Sequence, residues 1–408
     1  MEQMDTRCTE LPERATALKE SMIAWRREIH IHPELGFLQH DTARLVARVL
    51  REMGLHVQTG VGKTGVVARL GEGHPAIGLR ADMDALAVQE ANDVIYASQT
   101  PGVMHACGHD AHVAILLGVA RLLAEMPDRP AGQVRFLFQP SEEGMDAEGK
   151  SGAQRMVEDG AVDGLDVIVA QHVTSDYPCG EVEIVDGYAT AAVDTYEATI
   201  LGAGCADAYP HTGLDTIFIA AQVINAIHGV RSTRVDPLRP SILSVSTVHG
   251  GSARNVIPPE VTISGTIRSY DDETRDLLPR ELERALSVAR ALGGDYRLSL
   301  RKGYASTHND ARVAAVLRQV VLDLAGPGCL RKPQPGMSGE DFGCMMRGIP
   351  GVWFQLGAQI GHEKRPHHSP TFDIEESVLP LGAALLTETA RRLLVAPVAG
   401  GQQGGELP

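Results

Sequence analysis

Short apolar runs alternate with amphipathic stretches along the chain from about residue 20 onward. The candidate strands are GVVARL (65–70), AIGLR (76–80), VRFLF (134–138), DVIVA (166–170) and GVWFQLG (351–357). Candidate helices include the stretches 18–30, 42–54 and 111–126, and the last two carry apolar residues at three- and four-residue intervals. The alternation predicts an α/β fold with a mostly parallel sheet.

The pattern changes between residues 190 and 303, where alternating strands such as YEATILG and VTISGTIRSYD surround two helical stretches, 213–228 and 273–292. This segment is typical of an inserted α+β unit. We therefore predict a discontinuous larger domain, 1–189 and 304–395. The tail 396–408 is rich in Gly and Gln and is predicted to be disordered.

Composition narrows the classes of partner. The chain has 408 residues, is 43% hydrophobic and carries a formal net charge of −15, which disfavours nucleic acid and anionic membranes. No apolar run approaches the ~20 residues of a membrane span. Six cysteines without paired spacing and an N-terminus without an apolar signal segment predict a cytoplasmic location. A small-molecule partner is the expectation that remains.

Polar side chains follow the predicted parallel strands. Asp82 and Asp84 come after AIGLR, Glu142 and Glu143 after VRFLF, and His172 after DVIVA. Because open α/β sheets bind ligands at the carboxyl ends of their strands, we expect these side chains to meet in one crevice.

The stretch MHACGHDAH, residues 104–112, adds thiol and imidazole donors just before a predicted helix. Cys107 and His109 are two residues apart, so an extended backbone would point both side chains the same way. The helix N-terminus favours the thiolate of Cys107. Cysteine, histidine and carboxylate together predict a transition-metal site for Zn, Mn, Co or Ni, although a buried free cysteine beside a hydrogen-bonded histidine is the open alternative.

Glu142 and Glu143 are adjacent carboxylates, which are usually a solvated surface pair. Here they follow a nearly continuous apolar strand, which predicts a buried edge instead. At a metal, one carboxylate can bind the ion while the other takes a proton from water, as amide hydrolysis requires.

The chain resembles the M20 metallopeptidase family, in particular its amidohydrolase branch of hippurate hydrolases, auxin-conjugate hydrolases and aminoacylases. The matching segments are WRREIHIHPELGF, KTGVVARL, LRADMDAL, MHACGHDAH, FQPSEEG, AQHV, NVIPPEVTISGTIRS, SGEDFG and HHSPTFDIEE. The resemblance implies a catalytic domain of zinc-peptidase type with two divalent metal ions per chain. It also implies that the insert is a lid that makes a homodimer or higher homo-oligomer.

The resemblance also implies roles for single residues. The implied metal ligands are Cys107, His109, Glu143, His172 and His368. Glu142 corresponds to the general base, and Asp84 to a catalytic-site aspartate that orients a metal ligand. Asp82 stands where the wider family has a histidine ligand and is left out of the metal shell. The remaining histidines His105, His112 and His367 are expected to be satisfied by hydrogen bonds.

Substrate contacts are implied in the insert. Asn255 and Arg268 match the family residues that bind the substrate's carboxylate, a group that suits the guanidinium fork. The alternative is that Arg268 pairs with an acid of the insert, Asp271 or Asp272.

One family motif is altered. The family's lid motif reads approximately Gly-Lys-Gly-Gly-His-Ala-Ala-Xaa-Pro-His, whereas this chain has GAGCADAYPH from Gly202 to His211. Ala206 stands at the place of the histidine that stabilises the oxyanion across the dimer. The motif's last histidine, His211, is retained as a candidate substrate-binding residue that would substitute if the loop rearranged.

Together these features predict a metal-dependent amidohydrolase that cleaves the amide of an N-acyl amino acid or a related conjugate with a carboxylate. A metallo-dipeptidase or carboxypeptidase is the alternative within the class. A metal-binding protein of this fold with little hydrolase activity is the alternative outside it, and Ala206 is the residue that suggests it.

Overall fold

The computed structural model describes residues 6–334 and 336–398. The helices are α1 Thr6–Ala17, α2 Lys19–Ile31, α3 His40–Glu52, α4 His109–Ala124, α5 Gly152–Glu158, α6 Thr216–Arg234, α7 Asp272–Leu286, α8 Val288–Ala291, α9 Ala311–Leu324, α10 Phe342–Met345 and α11 Leu379–Val395. The strands are β1 His56–Val61, β2 Gly65–Glu72, β3 Ala76–Asp82, β4 Gly132–Gln139, β5 Val167–Pro178, β6 Val182–Glu183, β7 Gly187–Thr190, β8 Ala192–Leu201, β9 Cys205–Ala206, β10 Ser241–Leu243, β11 Thr247–His249, β12 Val256–Ile257, β13 Glu260–Ser269, β14 Asp295–Tyr304, β15 Thr307–Asn309 and β16 Gly351–Gln359.

The chain divides into two compact units. The smaller unit takes Thr190–Ser306 and Gly336–Glu340, and the larger unit takes the described residues on either side. The predicted insert was 190–303, with 336–340 assigned to the larger domain. The structure corrects this assignment: Met337 O accepts a hydrogen bond from Arg268 and Ser338 O accepts one from the Ala191 amide, so the segment packs with the smaller unit.

The larger unit is built on a seven-stranded sheet in the order β1-β2-β4-β3-β5-β16-β6. The four strands β4, β3, β5 and β16 are parallel, and the strands outside them pair antiparallel. All seven residues of β3 are buried, because both faces of a parallel sheet are covered and its strands lose the polar alternation. The predicted α/β class with a mostly parallel sheet is confirmed.

Two apolar layers cover this sheet. Ile77, Leu79 and Val169 pack on one face with residues of α2, α4, α9 and α11. Ile168 and Ala170 point to the other face, where α5 and α10 pack. The carboxyl ends of β3, β4, β5 and β16 therefore meet at one edge of a rigid, doubly covered sheet.

The smaller unit is an antiparallel sheet in the order β10-β13-β8-β14, with β11 also paired to β13. Buried and less buried positions alternate along β8 and β13, as expected for strands with one covered face. The covering helices α6 and α7 contribute Val223, Ile227 and Leu282 to its core.

Two further features bear on the predictions. Among the described residues, no helix is long and apolar enough to cross a bilayer. Of the tail predicted to be disordered, residues 399–408 lie outside the described residues. Val398 is partly buried against the core of the larger unit, so the prediction of disorder does not hold at that residue.

Candidate metal centre

The predicted crevice forms at the carboxyl edge of the large sheet. Asp82 is the last residue of β3, and the loop after β4 carries Glu142 and Glu143. His172 was expected to follow its strand, but β5 continues to Pro178 because β16 pairs with it along this whole length. His172 therefore projects from within β5, opposite Gln355.

Cys107 and His109 are brought together by a tight turn. The expected extended backbone is wrong: Gly108 is left-handed, with φ of 91°, and α4 begins at His109. A Cβ at Gly108 would also lie 2.5 Å from Val173 Cγ2. Since both the backbone angle and the space exclude a side chain, this position requires glycine.

A first group of possible ligands consists of Cys107, His109 and His172, which each offer a donor atom within 4.8 Å of the others. His109 Nδ1 lies 3.1 Å from Asp84 Oδ1, and His172 Nδ1 lies 2.6 Å from Val173 O. Each Nδ1 therefore carries the proton that it donates, which in the neutral ring leaves the electron pair of Nε2 for a metal ion. His172 Nε2 lies 3.5 Å from Cys107 Sγ. His109 Nε2 is buried without a hydrogen-bond partner among the described residues, as a metal-ligating nitrogen would be.

A second group consists of Cys107, Glu143 and His368, again with donor atoms within 4.8 Å of one another. His368 Nε2 lies 3.0 Å from Glu143 Oε1, and the His368 amide donates to Ala106 O. The Glu143 amide donates to Asp84 Oδ2 at 2.8 Å, so Asp84 positions one residue of each group. Cys107 belongs to both groups and is the candidate bridging ligand.

Glu142 completes the site without belonging to either group. It is buried, and it shares a cluster with His109 and Glu143 in which the donor atoms lie within 4.8 Å. Ser141, directly before it, has φ of 45°, and His368 has φ of 62°. Non-glycine residues in this region are strained, and such strain accumulates at functional sites.

The electrostatics of the site favour a cation. Burial, with Glu143, Glu142 and Asp82, raises the pKa of the Cys107 thiol well above its usual range. In the protein without metal, burial and these carboxylates therefore favour the thiol, opposite to the thiolate that the helix N-terminus was predicted to favour. Burial opposes the charged form of His109, yet Asp82, Asp84 and Glu143 raise its pKa to about 10. A divalent ion held in this anionic pocket would displace the protons of Cys107 and His109.

Asp82 forms a further group of possible metal ligands with His109 and His112, so its exclusion from the metal shell stays a prediction. Its Oδ1 lies 2.5 Å from His112 Nδ1, and its Oδ2 lies 2.7 Å from Arg80 Nη1. Burial alone would raise the pKa of Asp82, but Arg80, His109 and His112 hold it well below its usual range. His112 Nε2 accepts the Val173 amide at 2.8 Å, so both of its nitrogens are paired, as predicted.

The other two histidines differ from each other. Neither ring nitrogen of buried His105 has a hydrogen-bond partner among the described residues, so the expectation for His105 is wrong. Burial lowers the pKa of His105 to about 4, and the ring is therefore neutral. His367 is hydrogen-bonded as predicted, but one of its partners is the Cys107 sulfur, 3.7 Å from Nδ1.

A buried ion network supports the site and was missed in the sequence. Arg26 Nε lies 3.0 Å from Asp110 Oδ2, and Arg26 Nη2 lies 2.6 Å from Asp373 Oδ1. Asp110 follows His109, and Asp373 lies in the segment that carries His368. Arg26 thus ties together the two stretches that supply ligands to the two groups. The available signal was an arginine in line with Met22 and Ile29 on the apolar face of α2.

We expect Arg26→Gln to lower the free energy of unfolding by about 3–5 kcal/mol, because it leaves the buried Asp373 carboxylate without its cation and Asp110 with His30 as its remaining partner. Chemical denaturation measures the loss. Arg27→Gln is the matched control, since Arg27 is 34% exposed and forms its ion pair with Glu376, and a surface pair is worth about 0–1 kcal/mol. Equal losses in the two variants would contradict this account of the network.

The predicted substrate residues lie in the smaller unit. Arg268 Nη1 donates to Met337 O at 2.6 Å, so the alternative pairing with Asp271 or Asp272 is not what the structure shows. Asp271 instead caps α7 by accepting the Thr274 amide. Asn255 and His211 are exposed. Their contact with a substrate stays a prediction.

Comparison with known proteins identifies the family. The sequence model of the family described as peptidase family M20/M25/M40 matches residues 78–392. These residues contain both ligand groups, Glu142 and the smaller unit. The chain belongs to this M20 family. The resemblance read from the motifs is thereby confirmed, and the chain is a hydrolase of the M20 type.

M20 relatives are similar over most of the chain. An N-acyl-L-amino acid amidohydrolase of Geobacillus stearothermophilus is 42% identical over 290 residues, 70% of this chain and 77% of that protein. Thermostable carboxypeptidase 2 of Saccharolobus solfataricus is 36% identical over 375 residues, 90% of this chain and 93% of that protein.

An M20 crystal structure is similar in fold. The YXEP protein of Bacillus subtilis, a dinuclear metal-binding peptidase, superposes with a TM-score of 0.80 at 31% identity, covering 93% of this chain and 99% of that one. That protein binds two metal ions, and in this chain two ligand groups share Cys107.

Proposed function

We propose that the protein is a metal-dependent amidohydrolase that cleaves N-acyl amino acids, or related conjugates with a carboxylate, to a carboxylic acid and an amine. The observation that carries this proposal is the buried Glu142 beside two ligand groups that share one thiol. A site for two adjacent cations, with a carboxylate next to it, is suited to hydrolysis by water.

The residues present fit a pair of divalent ions. Cys107, His109 and His172 would hold one ion, and Cys107, Glu143 and His368 would hold the other. His109 Nε2, buried without a hydrogen-bond partner among the described residues, and the thiol inside a carboxylate cluster are the observations that favour this assignment. When bound, such ions polarise the amide carbonyl and ease the ionisation of water. Zn, Mn, Co and Ni all suit this mixture of sulfur, nitrogen and oxygen donors.

Glu142 is the proton carrier in this proposal. Its carboxylate accepts the proton of the attacking water and then donates it to the nitrogen of the leaving amine. Glu143 cannot exchange roles with Glu142, because its Oε1 is 3.0 Å from His368 Nε2 and its amide is held by Asp84. Asp84 acts indirectly, by fixing the tautomer of His109 and the position of the Glu143 backbone.

The substrate class is supported by the similarity to the Geobacillus amidohydrolase. Arg268 and Asn255 are proposed to bind the substrate's carboxylate, with His211 as a further contact. One contact of Arg268 to Met337 O leaves this role open, since a guanidinium has five N–H donors. We further propose that the protein is cytoplasmic and forms a homodimer or higher homo-oligomer through the smaller unit.

A panel of amides tests the substrate class. The panel holds N-acetyl and N-benzoyl amino acids, dipeptides and N-blocked peptides, each with protein loaded with Zn, Mn, Co or Ni. We expect the highest kcat/KM on N-acyl amino acids. Preference for dipeptides or for removal of C-terminal residues would favour the peptidase alternative, to which the Saccharolobus relative belongs. Carboxylate binding without any turnover would favour the binding-protein alternative.

Ala206→His restores the residue that the family's lid motif has at this position. Ala206 is exposed, so the variant should fold normally. We expect kcat on N-acetyl amino acids to rise, because one oxyanion donor is worth about 10²–10³-fold in kcat. Ala208→His, also at an exposed position, is the matched control. A rate that stays unchanged or falls would contradict the interpretation that the absent histidine limits turnover.

A further inference from the structure

His367 lies against the thiol that both ligand groups share. Its Nδ1 is 3.7 Å from Cys107 Sγ, and its Nε2 is 3.3 Å from Thr174 Oγ1. Resting on the metal centre of the proposed function, we infer that His367 donates an N–H···S hydrogen bond to the Cys107 thiolate and thereby sets how strongly this thiolate donates to the bound ions.

The hydrogen bonds around Thr174 are compatible with a proton on His367 Nδ1. The Asp176 amide donates to Thr174 Oγ1 at 3.2 Å, so this oxygen already acts as an acceptor. In the arrangement that we infer, the hydroxyl proton of Thr174 points to His367 Nε2, 3.3 Å away. A neutral imidazole with Nε2 as acceptor has its proton on Nδ1, the nitrogen that faces Cys107 Sγ.

The ring of His367 is held in this orientation by its neighbours. Its centroid lies 4.9 Å from that of Phe372 and 5.5 Å from that of His172. His368, the next residue, is anchored because its amide donates a hydrogen bond to Ala106 O, directly before Cys107. These contacts restrict the orientation of the His367 ring.

His367 differs from the ligands in its geometry. The donor atoms of Cys107, Glu143 and His368 cluster within 4.8 Å of one another, and His367 belongs to none of these clusters. A hydrogen bond to a metal-bound sulfur withdraws electron density from it and tunes the electronic properties of the site. His367 is thus a positioning and tuning residue, not a ligand.

Cobalt provides the test, since a thiolate bound to Co²⁺ gives a sulfur-to-metal charge-transfer band in the near ultraviolet. Chelator-stripped full-length protein is titrated with Co²⁺ for the wild type and for His367→Leu, His367→Gln, Thr174→Val and Thr174→Ser. His362→Leu is the matched control, an exposed histidine of the same loop. Competition with a chelator gives the affinity for each equivalent of Co²⁺.

We expect His367→Leu to bind the same number of ions, with the band shifted to lower energy because the sulfur donates more strongly without the N–H···S bond. The affinity should fall about 10–100-fold, because the thiolate loses a donor that stabilises it against the protonated thiol. His367→Gln, which keeps an N–H donor, should restore much of the wild-type spectrum. Thr174→Val should shift the band in the same direction as His367→Leu, while Thr174→Ser and His362→Leu should not. Thr174→Val also keeps the test available if His367→Leu does not fold.

Three results would overturn the inference. The first is a charge-transfer band that does not move in either His367→Leu or Thr174→Val. The second is the loss of one bound ion in His367→Leu that His367→Gln does not restore. The third is a wild-type protein that shows no thiolate band. The second result would make His367 a ligand. Because these readouts need no substrate, failure of the proposed function, seen as no hydrolysis by loaded protein, is distinguishable from failure of this inference.

Discussion

Glu142→Gln should lower kcat on an N-acyl amino acid by about 10²–10⁴-fold, the usual contribution of a general acid–base. The substitution keeps the size of the side chain and removes its ability to accept a proton. Glu142 is buried next to His109 and Glu143, so water that enters from bulk solvent cannot easily replace it. The metal content should remain that of the wild type, since Glu142 lies outside both ligand groups.

Glu148→Gln is the matched control for this experiment. Glu148 lies on the same loop, but its side chain is 68% exposed and pairs with Arg155 and Lys150. We expect it to keep wild-type turnover. Full activity in Glu142→Gln would refute its role as proton carrier, and a large loss accompanied by loss of metal would show that Glu142 is a ligand instead.

Cys107→Ala should reduce the metal content from up to two ions per chain to less than one, and abolish turnover. The reason is the shared position of Cys107: its sulfur belongs to the group with His109 and His172 and to the group with Glu143 and His368. Removing it leaves each group with two donors in a pocket whose carboxylates then repel one another. Elemental analysis of purified and re-metallated protein measures the loss.

Two variants make the Cys107 result specific. Cys179→Ala removes an exposed thiol and should leave metal content unchanged. Cys107→Ser keeps a smaller oxygen donor and should retain more metal than Cys107→Ala. If Cys107→Ala retained its full complement of metal, the assigned ligand set would be incorrect.

Much of the candidate site was predictable because it follows from one rule of sheet topology. Asp82, Glu142 and His172 come from strands that are parallel neighbours, so their carboxyl ends had to meet. The motif around Cys107 had to join them, since α4 packs against β3 and β5. For the same reason the large-sheet fold was predictable from alternating apolar and amphipathic segments alone.

The remainder depends on contacts that no local pattern encodes. Arg26 meets Asp373 across 347 residues of sequence, and Arg80 meets Asp341 across 261. The approach of His367 to Cys107 depends on the path of its loop, in which the following residue, His368, has a left-handed backbone. Local errors have a similar origin: β5 extends through His172 because β16 pairs with it, which only the assembled sheet reveals.

Hydrolysis before and after metal removal tests the central claim most directly. Protein stripped with a chelator is assayed on an N-acyl amino acid, then titrated with Zn, Mn, Co or Ni and assayed again. We expect no turnover by stripped protein and a recovery that saturates at two equivalents of metal per chain. Stripped protein that hydrolyses the substrate as fast as the loaded protein would refute the proposed requirement for metal.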